Sequence, residues 1–211
     1  GGQKLLAYLS IGEATADGPS HEAVAAGARV LGVNAEWGGA IVDPSDPLWV
    51  AQMLKLAASF VSKGYDGLFL DAADSPLSLC GAAAVSGVTS LVAAIRSTVP
   101  GAVLVINRGF ESMQGVAPHV DGVLLEGFYS SYGVGGAHAL TSQSDRAWLL
   151  AQASVAKRMN PGIKIFSLDY IEQAPSTRAV VSDAIAYSRA HGFAPYVSTP
   201  DLQRIRTETV R

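Results

Sequence analysis

The chain has 211 residues, of which 49% are hydrophobic and 16% charged, and its net charge is −3. These values indicate a core-rich globular protein, and we expect residues 1–211 to form a single domain of barrel size. No basic run is present, which argues against a nucleic-acid partner or an anionic membrane surface. No apolar run reaches the roughly 18 residues that span a bilayer. The first residues do not read as a signal peptide.

Strands and helices alternate along the sequence. Predicted strands begin at residues 4, 67, 102, 122, 163 and 194, and predicted helices cover about 20–26, 46–63, 84–97, 111–116, 144–159 and 176–191. Asp46 and Pro47 give the second helix a strong start, and Ser144 is expected to cap the fifth. The strands at 67–70 and 102–106 are apolar on both faces, which is typical of a parallel sheet covered by helices. The pattern predicts an α/β fold with six clear β/α units, where a (β/α)8 barrel needs eight.

Polar side chains follow nearly every predicted strand. They are Glu13, Asp71 with Asp74, Asn107 with Arg108, Glu126, Asp169 with Tyr170, and Ser198. The carboxyl ends of parallel strands meet at one edge, so these groups are expected to form one strongly acidic mouth. A single acidic residue after a strand is commonly a helix cap or an ion-pair partner. Acidic ends on four of six strands indicate function, because crowded carboxylates repel one another.

Three chemistries use such a mouth. Two carboxylates can flank a glycosidic bond as acid and as nucleophile or base. A carboxylate cluster can hold Mg²⁺ or Ca²⁺ for phosphoryl or aldol chemistry. A carboxylate pocket can also simply bind a cation. No metal-binding sequence motif is present, so we expect no metal and no cofactor.

Aromatic residues favour a carbohydrate. Flat rings near strand ends suit the apolar face of a sugar, and the candidates are Trp37, Trp49, Tyr129, Tyr132, Tyr170 and Tyr196. Trp49 and Trp148 lie in predicted helices and are expected to pack in the core. Cys80, the only cysteine, is also expected in the core.

Seven motifs in order resemble a known group of enzymes. They are YLSIGE (8–13), WGGxxVDP (37–44), DGLFLDAADS (66–75), INRGFE (106–111), DGVLLEGF (121–128), SLDY (167–170) and PYVS (195–198). Together they resemble family 114 glycoside hydrolases, the endo-α-1,4-polygalactosaminidases, and the related hydrolase domain that acts on the bacterial Pel polysaccharide (family 166). The resemblance covers nearly the whole chain.

The resemblance implies a (β/α)8 barrel of TIM type and endo-hydrolysis of a galactosamine-containing polysaccharide. By analogy Asp71 is the nucleophile and Glu126 the acid/base of a retaining mechanism. We expect Tyr8, Glu13, Asp74, Asn107, Arg108, Tyr129, Asp169 and Tyr170 to contact the substrate. Galactosamine is cationic near neutral pH, which gives the acidic mouth a physical reason. The resemblance also implies an extracellular or periplasmic location.

The chain departs from the family at its start, because two further strands precede YLSIGE in the family. The barrel is therefore expected either to be incomplete at its N-terminus or to close in another way. An open sheet has exposed edges, so we expect an edge element such as residues 29–42, or self-association. Two other readings stay open: a non-catalytic carbohydrate-binding or structural protein, and a metal-dependent lyase or aldolase.

Overall fold

A computed structural model describes residues 2–132 and 137–203. In chain order its strands are β1 (Leu6–Ser10), β2 (Glu13–Ala14), β3 (Val30–Val33), β4 (Ala40–Val42), β5 (Gly67–Asp71), β6 (Val103–Asn107), β7 (Gly122–Glu126), β8 (Ser130–Tyr132), β9 (His138–Leu140), β10 (Lys164–Tyr170) and β11 (Ala194–Ser198). The helices are α1 (His21–Ala25), α2 (Pro47–Ser62), α3 (Asp74–Cys80), α4 (Ala82–Thr98), α5 (Met113–Val116), α6 (Gln143–Met159) and α7 (Arg178–Ala190).

The six predicted strands form one sheet in the order β1-β5-β6-β7-β10-β11. Every neighbouring pair is parallel, which confirms the predicted α/β architecture of a parallel sheet with flanking helices. In the described part of the chain β1 pairs only with β5, and β11 only with β10, so the sheet is open.

Each strand of this sheet has two faces with different neighbours, because side chains alternate along a strand. One face packs on the helices, and its side chains are fully buried: Leu68, Leu70, Leu104, Ile106, Val123 and Leu125. Burying each such side chain contributes roughly 1.5–3 kcal/mol. We call the other face the inner face. Residues of β5, β6 and β7 on this face are Phe69, Asp71, Val105, Asn107, Leu124 and Glu126.

Helix α2 begins where the sequence predicts. The Asp46 carboxylate accepts hydrogen bonds from the backbone N–H groups of Leu48 (2.8 Å) and Trp49 (3.2 Å). Gly64, with φ of +95°, follows its end, a conformation that glycine adopts without strain. Trp49 is fully buried, as expected, and its indole N–H donates to the Ile11 carbonyl at 2.8 Å.

Several local predictions were wrong. Helix α6 is capped by Ser142 and not by Ser144, since the Ser142 hydroxyl accepts from the Asp145 N–H at 3.1 Å. Residues 72–82, for which no helix was predicted, contain α3. Trp148 is 45% exposed and Cys80 is exposed, so neither is a core residue.

Residues 29–42 do not pair with the open edge of β1. Strands β3 and β4 form a hairpin that pairs with β2 in a separate antiparallel sheet of order β2-β4-β3. The expectation that these residues act as an edge strand was therefore wrong. The hairpin follows the carboxyl end of β1, so it lies at the edge where the predicted site residues collect. A second hairpin, β8–β9, follows the carboxyl end of β7.

Candidate active site

Asp71, Asn107 and Glu126 end three consecutive strands of the sheet, β5, β6 and β7. The Asn107 amide nitrogen lies between the two carboxylates. It donates to Asp71 Oδ1 at 2.9 Å and to Glu126 Oε2 at 2.8 Å. The distance between these two carboxylate oxygens therefore cannot exceed the sum of the two hydrogen-bond lengths. The orientation of the amide is fixed chemically, because the opposite orientation would turn its oxygen toward two acceptors.

Two tyrosines satisfy the remaining oxygens of the pair. The Tyr8 hydroxyl donates to Asp71 Oδ2 at 2.7 Å, and the Tyr170 hydroxyl donates to Glu126 Oε1. All four carboxylate oxygens thus accept a hydrogen bond from a neutral donor. Desolvation and the Asp71 carboxylate raise the pKa of Tyr8, and desolvation and the bond to Glu126 raise the pKa of Tyr170. Both phenols therefore remain protonated donors at ordinary pH.

The backbone turns in the same way after each of the three strands. The following residues, Ala72, Arg108 and Gly127, have φ of +59°, +55° and +68°. Glycine adopts this left-handed region freely, whereas a residue with a side chain is strained there by roughly 1–3 kcal/mol. Two strained residues next to the acidic pair show that the surrounding structure holds these turns in place.

Asp74 holds one of these turns. Its carboxylate accepts from Arg108 Nε at 3.0 Å and from the Gly109 N–H at 2.8 Å. Burial raises the pKa of Asp74, and the Arg108 charge opposes that shift. The Arg108 guanidinium also lies over the Phe110 ring, at 5.5 Å. Asp74 and Arg108 thus neutralise each other and order the backbone after Asn107.

Glu13 lies at the start of β2 and is only 8% exposed. Its Oε1 accepts from the Ser75 hydroxyl and from the Asn34 amide nitrogen, the latter at 2.8 Å. Burial and Asp71 raise the pKa of Tyr8, and the negative charge of Glu13 adds to that shift. The bond from Ser75, four residues after Asp71, places Glu13 near the end of β5. The carboxylate thereby joins β2, the β3–β4 hairpin and α3.

Gly12 has a structural role beside Glu13. A Cβ atom at this position would lie 2.0 Å from the Ala72 carbonyl oxygen. Only glycine therefore allows the end of β1 to approach the turn after Asp71 so closely.

Two predicted substrate contacts lie elsewhere. Asp169 is completely buried, one residue before Tyr170 and so on the opposite face of β10. Its Oδ1 accepts from the N–H groups of Tyr129 (2.5 Å) and Ser130 (2.9 Å), and its Oδ2 is buried without a partner. The Tyr129 ring packs against Tyr187 at 5.4 Å, with Arg146 over it at 5.0 Å. Asp169 thus stabilises the loop after Glu126 through hydrogen bonds to its backbone.

Burial raises the pKa of Asp169 from 3.8 to about 6, against the opposing effect of the hydrogen bonds from Ser130 and Tyr129. This shift is expected for a carboxylate without a cation and without access to water.

Tyr132, one of the aromatic candidates for a carbohydrate, lies at the mouth, although it was not among the expected substrate contacts. Its ring meets the Tyr170 ring edge-on, with 5.3 Å between centroids, and it is 40% exposed. It ends β8, whose pairing with β9 was not predicted from the sequence. The signal was available, since two short runs flank the glycine-rich residues 133–136, a pattern typical of a hairpin. Those four residues lie outside the described ranges.

The described residues include neither a metal-binding cluster nor a membrane-spanning helix. Within 2–132 and 137–203, no group of three or more His, Cys, Asp or Glu side chains is arranged to hold a metal ion. None of the described helices has the length and apolarity needed to cross a bilayer. His138, which lies on β9, pairs with Glu172 at 2.8 Å.

A pair of close carboxylates at the carboxyl edge of a parallel α/β sheet is the arrangement used by glycoside hydrolases. The profile of Glycoside-hydrolase family GH114 matches residues 1–210, and the chain belongs to this family.

Solved structures agree with this assignment. The glycoside hydrolase domain of PelA from Pseudomonas aeruginosa is 31% identical, with a TM-score of 0.80 over 96% of this chain and 81% of that one. Ega3 from Aspergillus fumigatus, solved in complex with galactosamine, is 14% identical, with a TM-score of 0.73 over 97% of this chain and 78% of that one. The second likeness concerns the fold alone. A search of curated proteins gave no significant match.

Proposed function

We propose that this chain cleaves an α-1,4-linked galactosamine-containing polysaccharide within the polymer, by a retaining mechanism, outside the cytoplasm. Asp71 acts as the nucleophile and Glu126 as the acid/base. Membership of GH114 supports glycoside hydrolysis. The similarity to PelA and Ega3, the latter bound to galactosamine, supports the choice of sugar.

The observation that carries the mechanism is the shared Asn107 nitrogen. Because this nitrogen bonds to Asp71 Oδ1 at 2.9 Å and to Glu126 Oε2 at 2.8 Å, the distance between these two oxygens is at most the sum of the two bond lengths. Carboxyl groups lie about 5–5.5 Å apart in retaining enzymes, and about 6.5–9.5 Å apart in inverting ones, where a water must fit between them. The spacing supports direct attack by Asp71.

In the first step an Asp71 oxygen attacks the anomeric carbon as the bond from that carbon to the glycosidic oxygen breaks. Glu126 gives its proton to the departing oxygen, and a glycosyl ester of Asp71 results. In the second step Glu126 removes a proton from water, the water oxygen attacks the anomeric carbon, and Asp71 is released. The two steps consume one water and return both carboxyl groups to their starting state.

Tyr170 and Asn107 direct the proton on Glu126. The Asn107 amide nitrogen can only donate, so a proton on Glu126 Oε2 would face another hydrogen. The Tyr170 hydroxyl can accept as well as donate. A protonated Glu126 therefore carries its proton on Oε1 until substrate displaces the contact.

The charge of the mouth supports a cationic substrate. Arg108 is the cation of the predicted site, and Asp74 already pairs with it. The other three carboxylates of the mouth accept hydrogen bonds from neutral donors and form no ion pair in the described part of the chain. They are Asp71, Glu126 and Glu13. Their combined field attracts an ammonium group.

The test is turnover of a partially de-N-acetylated α-1,4-galactosamine oligosaccharide, with the anomeric configuration of the first product followed by NMR. We expect the α-anomer to appear first. Asp71→Asn and Glu126→Gln should each reduce kcat, by about 10²-fold or more. Wild-type turnover that neither change affects would refute the assignment, and an initial β-anomer would refute retention. Binding without any turnover would favour a non-catalytic carbohydrate-binding protein.

A further inference from the structure

The β3–β4 hairpin carries an exposed aromatic side chain on a fixed backbone. Trp37 is 72% exposed, the highest value among the large hydrophobic residues of the described chain. Asn34 holds the tip, because its side-chain oxygen accepts from the N–H groups of Glu36 (3.0 Å) and Trp37 (3.2 Å). Its backbone bonds to Gly38 and Gly39, each at 2.8 Å, close the turn.

The tip is also anchored to the acidic mouth. The Asn34 amide nitrogen donates to Glu13 Oε1 at 2.8 Å, and the same oxygen accepts from Ser75 in α3. Trp37 therefore lies on a hairpin that is fixed relative to Asp71, the last residue before the turn into α3. A rigid backbone presents an aromatic ring to a ligand at little entropic cost.

Glu36, the neighbour of Trp37, supplies a negative charge without a countercharge. It forms no ion pair with any of residues 2–132 and 137–203. Burial, and then the charges of Glu36 and Glu126, raise the pKa of Tyr132 on the other hairpin. Both hairpins border the mouth, because Asn34 is bonded to Glu13 and the Tyr132 ring meets the Tyr170 ring.

A set of contacts also joins the β8–β9 hairpin to the acidic pair. Glu126 accepts from the Tyr170 hydroxyl, and the Tyr170 ring meets the Tyr132 ring. The mouth thus extends from the carboxylate pair to an aromatic residue on each hairpin. Aromatic rings and carboxylates are the groups that a cationic sugar needs, the first for its apolar face and the second for its ammonium.

We propose that Glu36, Trp37 and Tyr132 form a second sugar subsite, which takes a hexosamine unit next to the one that is cleaved. Trp37 stacks on the sugar ring, Tyr132 closes the opposite side, and Glu36 pairs with the ammonium group. This inference rests on the proposed function, because it assigns the same polymer to an extended site.

The experiment measures binding of α-1,4-galactosamine oligosaccharides, a dimer and a hexamer, to the Glu126→Gln protein by calorimetry. In that background Trp37→Ala should raise the Kd of the hexamer about tenfold, the loss expected for a stacking contact. Glu36→Gln should raise it about tenfold for the free amine, and should leave the Kd of the fully N-acetylated hexamer unchanged.

Matched controls are available on the helical side of the molecule. Trp148→Ala removes another exposed tryptophan, on α6, and Asp183→Asn removes an exposed carboxylate on α7. Both should leave the hexamer Kd unchanged. The subsite is refuted if Trp37→Ala and Glu36→Gln bind like their parent, or if the controls weaken binding as much.

Hydrolysis by the otherwise unaltered protein separates this inference from the proposed function. Hexamer binding that depends on Trp37, without any hydrolysis, upholds the subsite and refutes the enzyme. Hydrolysis whose kcat/KM is unaffected by Trp37→Ala and Glu36→Gln upholds the enzyme and refutes the subsite. Absence of binding by either oligosaccharide refutes the subsite as well.

Discussion

Glu126 and Asp169 are carboxylates near the ends of neighbouring strands, yet their surroundings are opposite. Glu126 ends β7 on the inner face, where Asn107 and Tyr170 donate to it. Asp169 is the last residue but one of β10, is completely buried and holds two backbone N–H groups. Glu126 lies among the polar groups of the mouth, and Asp169 supports the loop that follows β7.

The difference comes from strand register. Glu126 is in register with Leu168 of β10, so Leu168 and Tyr170 share its face and Asp169 turns away. A strand's side chains alternate with a period of two, and a shift of one residue reverses the face. Position at a strand end therefore identifies a candidate, but the face decides whether that candidate can reach substrate.

Replacing Glu126 and Asp169 in turn by the corresponding amide should give the largest difference in kcat between the two positions. Glu126→Gln should lower kcat by about 10²–10⁴-fold, because the acid/base is lost. Asp169→Asn should stay within about threefold of wild type, less than about 1 kcal/mol in the barrier, because the Asn carbonyl can accept the same two N–H groups. Steady-state kinetics on the oligosaccharide decides this. Equal losses in both variants would mean that the two faces do not differ in function.

The pH dependence of stability should distinguish Asp169 from other carboxylates. Its pKa is raised from 3.8 to about 6, so between these values the folded state holds a proton that the unfolded state has lost. The contribution of Asp169 to the free energy of unfolding is therefore fully present below about pH 4 and is lost as the pH rises through 6. Relative to Asp169→Asn, the wild-type free energy of unfolding should fall by about 3 kcal/mol between pH 4 and 7.

Urea unfolding of both proteins across this pH range provides the measurement. Asp183→Asn, at an exposed position, is the control and should follow the wild type. A wild-type protein that gains stability relative to Asp169→Asn over the same range would contradict the role of burial.

Removal of one hydroxyl from each face of β10 should give the smallest contrast. Tyr170→Phe deletes the donor to Glu126 Oε1 and should lower kcat about tenfold with little change in KM. Ser167→Ala deletes a buried hydroxyl on the opposite face, which bonds to the Ser188 hydroxyl at 2.8 Å, and should leave kcat unchanged. The comparison fails if the serine variant loses as much activity as the tyrosine variant while both stay folded.

Much of the fold was predictable from local signals. Strands with apolar residues on both faces indicated the parallel sheet, and Asp46 with Pro47 indicated the start of α2. The same rule of strand ends identified Asp71, Asn107 and Glu126, which the structure brings together. These features depend on composition and short spacing, which a sequence displays directly.

The rest depended on register and on tertiary contacts. The buried, helix-facing side of β10 carries the polar residues Ser167 and Asp169, so hydrophobicity did not reveal that Asp169 faces the helices. Trp148 was expected in the core, but its ring lies on the surface and meets Phe110 edge-on at 5.2 Å. The roles of Asn34 and Ser75 could not be foreseen, because their common partner Glu13 lies 21 and 62 residues away.

Asn107 holds Asp71 and Glu126 together without contributing a charge of its own. A lysine or a metal ion between Asp71 and Glu126 would hold them together by cancelling their charge. The amide nitrogen is a neutral spacer that offers one hydrogen to each carboxyl group, so it holds the two acidic groups close together without adding a positive charge. In the proposed function, the positive charge that balances the mouth then arrives with the sugar.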